Sequence, residues 1–168
     1  MDPTEFDAEF ARDLGGATRV AVLGVGDDLN PLDRPGIIGA ILISRLDRPN
    51  VTVFLAGTMP ENYTGALRQL RPSHVVILDA AEMGLPPGSV GIVHPATIRG
   101  QRFSTHSLPL SLVIEYLEKE IGATVVLIGI QPDTTVPTAA AEAGLSRQVI
   151  DGLYRLRTAF SRATRNLW

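Results

Sequence analysis

The chain has 168 residues, 45% of them hydrophobic, with a mean hydropathy of +0.15 and 15 Lys and Arg against 18 Asp and Glu, a formal net charge of −3. A chain of this length buries roughly 70% of its unfolded surface without a covalent staple, so one folded domain over 1–168 is expected and bulk disorder is excluded. The slight acidic surplus argues against a nucleic-acid partner, and a sequence without cysteine has no disulfides, iron–sulfur clusters, thiolate zinc sites or cysteine nucleophiles.

The first segment, 1–16, reads as a short amphipathic accessory helix: Phe6, Phe10 and Leu14 recur on one face and Gly15-Gly16 ends it. It is acidic and has neither a basic start nor an apolar centre, so it is not expected to be a signal peptide. No apolar run approaches the ~18 residues that span a bilayer, which predicts a soluble, cytoplasmic protein without membrane insertion.

An α/β core is expected over 19–166. The runs 19–24 (RVAVLG), 51–56 (VTVFLA), 74–79 (HVVILD) and 124–130 (TVVLIGI) are short, apolar and β-branched, as strands covered on both faces should be. Helical patterns lie between them at 36–46 after Pro35, 61–70 before Arg71-Pro72, and 107–121 before Gly122, with a long final helix over 146–166. Val149, Ile150, Leu153, Leu156 and Phe160 form the apolar stripe expected of that last helix. Strands alternating with helices predict right-handed crossovers and a three-layer sandwich around a twisted, mostly parallel five-stranded sheet. One strand breaks the pattern. Only nine residues separate Asp79, which ends its strand, from the run 89–94 (SVGIVH), too few for a parallel crossover, so it is expected to run antiparallel.

Ligands of open parallel sheets bind beyond the carboxyl ends of the strands, near a switch in strand order. The loop after the first strand carries Gly24, Gly26, Asp27, Asp28 and Asp33. It fails the dinucleotide fingerprint, because Leu29 stands where the third glycine belongs and the carboxylates would repel a pyrophosphate. Phosphate-loop and nucleophile-elbow motifs are absent from the sequence, so Ser104 and Ser107 beside His106 make a poor case for a serine hydrolase. Asp33, Asp79 at the end of the third strand and His106 before the third helix remain. With the first and third strands adjacent, both carboxylates reach one crevice, and two carboxylates with an imidazole suit nickel or zinc while leaving coordination positions open. Each has a plainer reading: Asp79 as a loop cap, His106 as a helix cap. His74 and His94 read as strand-end residues, Asp27 and Asp28 as turn formers, and Glu82 as a solvated loop carboxylate.

In order along 20–133, the segments VLGVGDDLNPLD, GTMPEN, LRPSHVVILDAAEMGLPPG, THSLPLSLVIEYL and GIQPD resemble the maturation endopeptidases of nickel–iron hydrogenases, most nearly the formate-hydrogenlyase-type branch. The resemblance implies a twisted five-stranded sheet between helices and an aspartyl-type endopeptidase activity that removes a C-terminal extension from the nickel-loaded large-subunit precursor. It implies that Asp33, Asp79 and His106 are both metal ligands and catalytic residues, with nickel supplied by the precursor and zinc or cadmium able to occupy the site in vitro. The first loop departs from the family pattern: Asp27 replaces an asparagine, Leu32 replaces the first of two acids, and Arg34-Pro35 precede Gly36. A non-catalytic nickel- or nucleotide-binding module using the same crevice is the alternative.

Overall fold

The computed structural model describes residues 3–94, 109–135 and 144–167. Its elements follow in the order α1 (Pro3–Asp13), β1 (Val20–Val25), α2 (Pro35–Ser44), β2 (Val51–Gly57), a single 3₁₀ turn (Pro60–Tyr63), α3 (Thr64–Leu70), β3 (His74–Ala80), β4 (Val90–Ile92), α4 (Leu110–Tyr116), a π turn (Leu117–Ile121), β5 (Thr124–Ile130) and α5 (Arg147–Ala163). The strands form one sheet in the order β2-β1-β3-β5-β4. All pairings are parallel except β4 with β5, which is antiparallel, as the short connection before β4 requires.

Alternation within each strand divides the core into two layers. On β1, Val20 and Val22 face α1, α2 and α5, whereas Ala21, Leu23 and Val25 face α3, α4 and the π turn. Every residue of β1 and β3 is buried, which is why both read as continuous apolar runs rather than alternating ones. Helix α2 is buried around most of its circumference because it is wedged between the sheet and α5. It comes this close because Gly24 has no side chain: a Cβ there would stand 2.6 Å from the Ala40 Cβ. The N-terminal helix joins the same layer, with Phe6 stacked on Phe10 at 5.5 Å and Phe10 against Phe160 at 6.2 Å.

Several expectations need correction. The 61–70 helix opens as a 3₁₀ turn, β4 covers three residues rather than 89–94, and α5 ends at Ala163 instead of 166. The 107–121 helix is α4 followed by the π turn, which closes at Gly122 in the left-handed conformation (φ 75°); residues 107 and 108 lie outside those described. Ile150 is 39% exposed and does not belong to the buried stripe of α5, where Gly152 and Ala159 lie beside Val149, Leu153, Leu156 and Phe160.

Candidate functional site

The chain leaves β1 in one direction and β3 in the other, α2 lying on one face and α3 on the opposite face. The carboxyl ends of β1 and β3 therefore flank the switch point. The loop from β1 to α2 is held by its own short polar side chains. Asp27 Oδ1 accepts from the Leu29 amide at 2.9 Å and Asn30 Oδ1 from the Leu32 amide at 3.0 Å, two successive Asx turns. The Asn30 carbonyl accepts from both the Asp33 and Arg34 amides at 2.9 Å. Asp33 then folds back, its Oδ2 accepting from the Asp27 amide at 3.1 Å. Gly26 makes that closure possible: it takes a φ of 133°, and a Cβ there would stand 1.9 Å from the Asp33 carbonyl oxygen. Gly24 within β1 and Gly26 on the loop are thus used by packing and chain reversal rather than by a cradle for phosphates.

Asp33 is buried just before α2, and Asp79 is completely buried near the end of β3. Gly36, three residues beyond Asp33, brings the two segments together, since its Cα lies against the backbone carbonyl of Leu78, the residue before Asp79. Two carboxylates from distant parts of the sequence accordingly reach the same end of the sheet at the β1–β3 boundary. His106, together with Ser104 and Ser107, lies outside the described residues. Among the described residues, no group of three or more His, Asp or Glu side chains is close enough to hold an ion.

The two described histidines lie away from this pair, whereas Asp28 and Glu82 lie on the same loops as it. His74 begins β3 at the amino end of the sheet, buried, with Nδ1 3.0 Å from Ser73 Oγ. Burial pushes its pKa below the usual histidine value. His94 follows β4, largely exposed, with Nε2 3.4 Å from Glu9. Asp28 faces the Arg34 guanidinium at 3.9 Å, and Glu82 is exposed on the loop after β3.

Gln131 and Asp133, whose types and spacing alone do not mark them out in the GIQPD segment, also act at this end of the sheet. Gln131 is buried after β5, and its Oε1 accepts from the Met83 amide at 2.7 Å. Its backbone amide donates to Ser89, and its carbonyl accepts from Gly88, both at 2.9 Å. It therefore holds most of the loop that follows Asp79. Asp133 accepts from the Thr135 hydroxyl at 2.6 Å and the Thr135 amide at 3.0 Å. Those bonds, with a further one from Ser146, keep its carboxyl below the usual aspartate range. Pro31 and Asp133 line one small cavity with Ser146 and Val149, so the loops after β1 and β5 meet at the start of α5.

The chain is similar to known proteins along most of its length. Residues 40–158 match the family described as HycI, hydrogenase maturation protease; Asp79 lies within the match, whereas the loop carrying Asp33 precedes it. The hydrogenase 3 maturation protease of Escherichia coli K12 is 37% identical over 113 residues, covering 67% of this chain and 72% of that protein. The crystal structure of a NiFe hydrogenase maturation protease HycI from Thermococcus kodakarensis superimposes with a TM-score of 0.81 at 30% identity, over 94% of this chain and 99% of that one. A crystal structure of the hydrogenase 3 maturation protease gives 0.71 at 31% identity, over 84% and 88%.

Proposed function

The chain belongs to the hydrogenase maturation protease family, and we propose that it removes a C-terminal extension from the nickel-loaded large-subunit precursor of a nickel–iron hydrogenase. Nickel in this reading is part of the substrate. The precursor presents its ion to Asp33, Asp79 and His106, and shared coordination aligns the neighbouring peptide bond for attack. A divalent ion so placed polarises the scissile carbonyl or lowers the pKa of an attacking water. Hard carboxylate oxygens and an imidazole, in a chain without thiols, suit a borderline ion that must be shared and then released.

The observation that carries the reading is the approach of the Asp33 loop to the end of β3 through Gly36, which brings two buried carboxylates to the switch point of a fold shared with maturation proteases. Its consequence is a checkpoint: a precursor without nickel offers nothing to coordinate and is left uncut. A difference of ~3 kcal/mol in the barrier suffices for a rate ratio above a hundredfold. The test is incubation with nickel-loaded and metal-free precursor, followed by mass measurement of the precursor's C-terminus. Cleavage of the loaded form alone is expected; equal cleavage of both overturns the checkpoint.

A further inference from the structure

The two edges of the sheet are finished differently. At one side, β4 is only three residues long and carries α1 and α5 against it. At the other, β2 is a seven-residue run, VTVFLAG, with no charge and no proline, and most of its residues are partly exposed. Long apolar edges are normally shortened, charged or covered, because their unpaired amides and carbonyls invite another strand.

Register shows which groups face outward. The Val20 amide donates to the Asn50 carbonyl, so in this parallel pair residues 50, 52, 54 and 56 direct their backbone groups toward β1. Val51, Val53 and Leu55 direct theirs away from the sheet. The outward row is closed at both ends: the Val51 amide donates to the Arg48 carbonyl, and the Leu55 carbonyl accepts from the Tyr63 hydroxyl at 3.0 Å. Between these stops, the Val51 carbonyl, both backbone groups of Val53 and the Leu55 amide have no described partner. Beyond them, Leu55 exposes 48% of its surface. The edge also leads to the candidate site, because the Gly57 carbonyl at the end of β2 accepts from the Gly26 amide, on the loop that ends in Asp33.

We propose that the open outer edge of β2, from Val51 to Leu55, is the docking site for the precursor's C-terminal extension, which adds to the sheet as an extended strand; this rests on the function proposed above. An uncharged edge selects an uncharged, extended peptide, held mainly through its backbone. A second copy of the chain fits less well. Five paired residues extend only about 17 Å, too little by themselves for the roughly 1,600 Å² of a stable protein–protein interface. An extension already tethered at the metal site needs no such area, since its binding to the edge is intramolecular. Three strand spacings of ~4.8 Å separate the guest strand from β3. The residues held on β2 therefore lie at least about four extended residues from the bond that is cut.

The test is residue-resolved hydrogen exchange on the full chain, alone and with nickel-loaded large-subunit precursor, alongside the cleavage assay. The Val53 and Leu55 amides are expected to exchange at least about tenfold more slowly with precursor present, while the Thr52 and Phe54 amides, already paired with β1, stay unchanged. Val53→Pro removes an outward donor without touching the β1 ladder. It should raise KM for the precursor about tenfold with kcat held. Cleavage without protection at Val53 and Leu55 overturns the docking site and leaves the protease reading standing. Protection that grows with enzyme concentration alone also overturns it, in favour of self-association. Absence of cleavage by the wild-type enzyme overturns the underlying reading and the docking site together.

Discussion

The Cα of Gly36 lies against the backbone of Leu78: a Cβ on Gly36 would stand 2.3 Å from the Leu78 carbonyl oxygen and 2.4 Å from that of Val25. Neither oxygen can retreat, since both belong to central strands buried on both faces. Gly36→Ala must therefore push the start of α2 outward, moving Asp33 away from Asp79. The overpacking cost is about 3 kcal/mol, which for a chain of this size lowers Tm by roughly 6–12 °C. Thermal unfolding reads the first effect, and precursor cleavage, expected to fall by more than the stability loss explains, reads the second. A Gly36→Ala variant with wild-type Tm and activity contradicts the close approach.

Gln131 supplies the polar bracing of the loop after Asp79. Gln131→Met keeps the shape of the side chain but leaves the Met83 amide without its acceptor. An unpaired amide in this setting costs about 1–3 kcal/mol, to be measured as a lowered midpoint in urea. The Met83 amide should exchange faster in the variant while those of β1 do not.

His74 gives the fold a pH dependence whose sign is fixed. Burial lowers its pKa from 6.5 in the folded chain, so on acidification the unfolded chain takes up this proton first. Its contribution to stability is present above about pH 6.5 and is lost as pH falls below that value, until the folded imidazole protonates too. Tm measured from pH 7.5 downward should show this decline, and His74→Gln should flatten it. Cleavage at pH 7.5 is expected to be unchanged in that variant, because His74 stands at the opposite end of β3 from Asp79.

Phe160 joins α5 to α1 and to the sheet, fully buried with Phe10 beside it. Phe160→Ala opens a cavity in this layer and should cost about 3–5 kcal/mol, read by chemical denaturation. A loss below about 1 kcal/mol contradicts the packing of α1 into the core.

The sheet is legible in the sequence because β1 and β3 are covered on both faces and so consist of unbroken apolar runs, and the direction of β4 follows from the short connection before it. The position of Asp33 and Asp79 at the carboxyl end of the sheet follows from the order of the segments, because the switch-point rule names the loops on which they lie, together with Asp27, Asp28 and Glu82. What escaped reading depended on contacts between backbones. Side-chain size alone places Ile150, and not Gly152, on the apolar stripe of α5. Yet a Cβ on Gly152 would stand 2.0 Å from the Gly88 carbonyl oxygen, so the helix meets the neighbouring loop through a residue with no side chain. Gln131 escaped for the same reason, its partners being backbone amides 46 and 48 residues away. The π turn after α4 has no apolar period of its own to distinguish it from a continuing helix.

If Asp33 and Asp79, buried carboxylates from separate segments, together serve one ion carried by the substrate as proposed above, Asp79→Asn keeps the shape of the site and removes half of its charge. Mixed with nickel-loaded large-subunit precursor and followed by the mass of the precursor's C-terminus, this variant is expected to stay folded and to cleave at least about a hundredfold more slowly. Processing at the wild-type rate would show that Asp79 does not hold the ion.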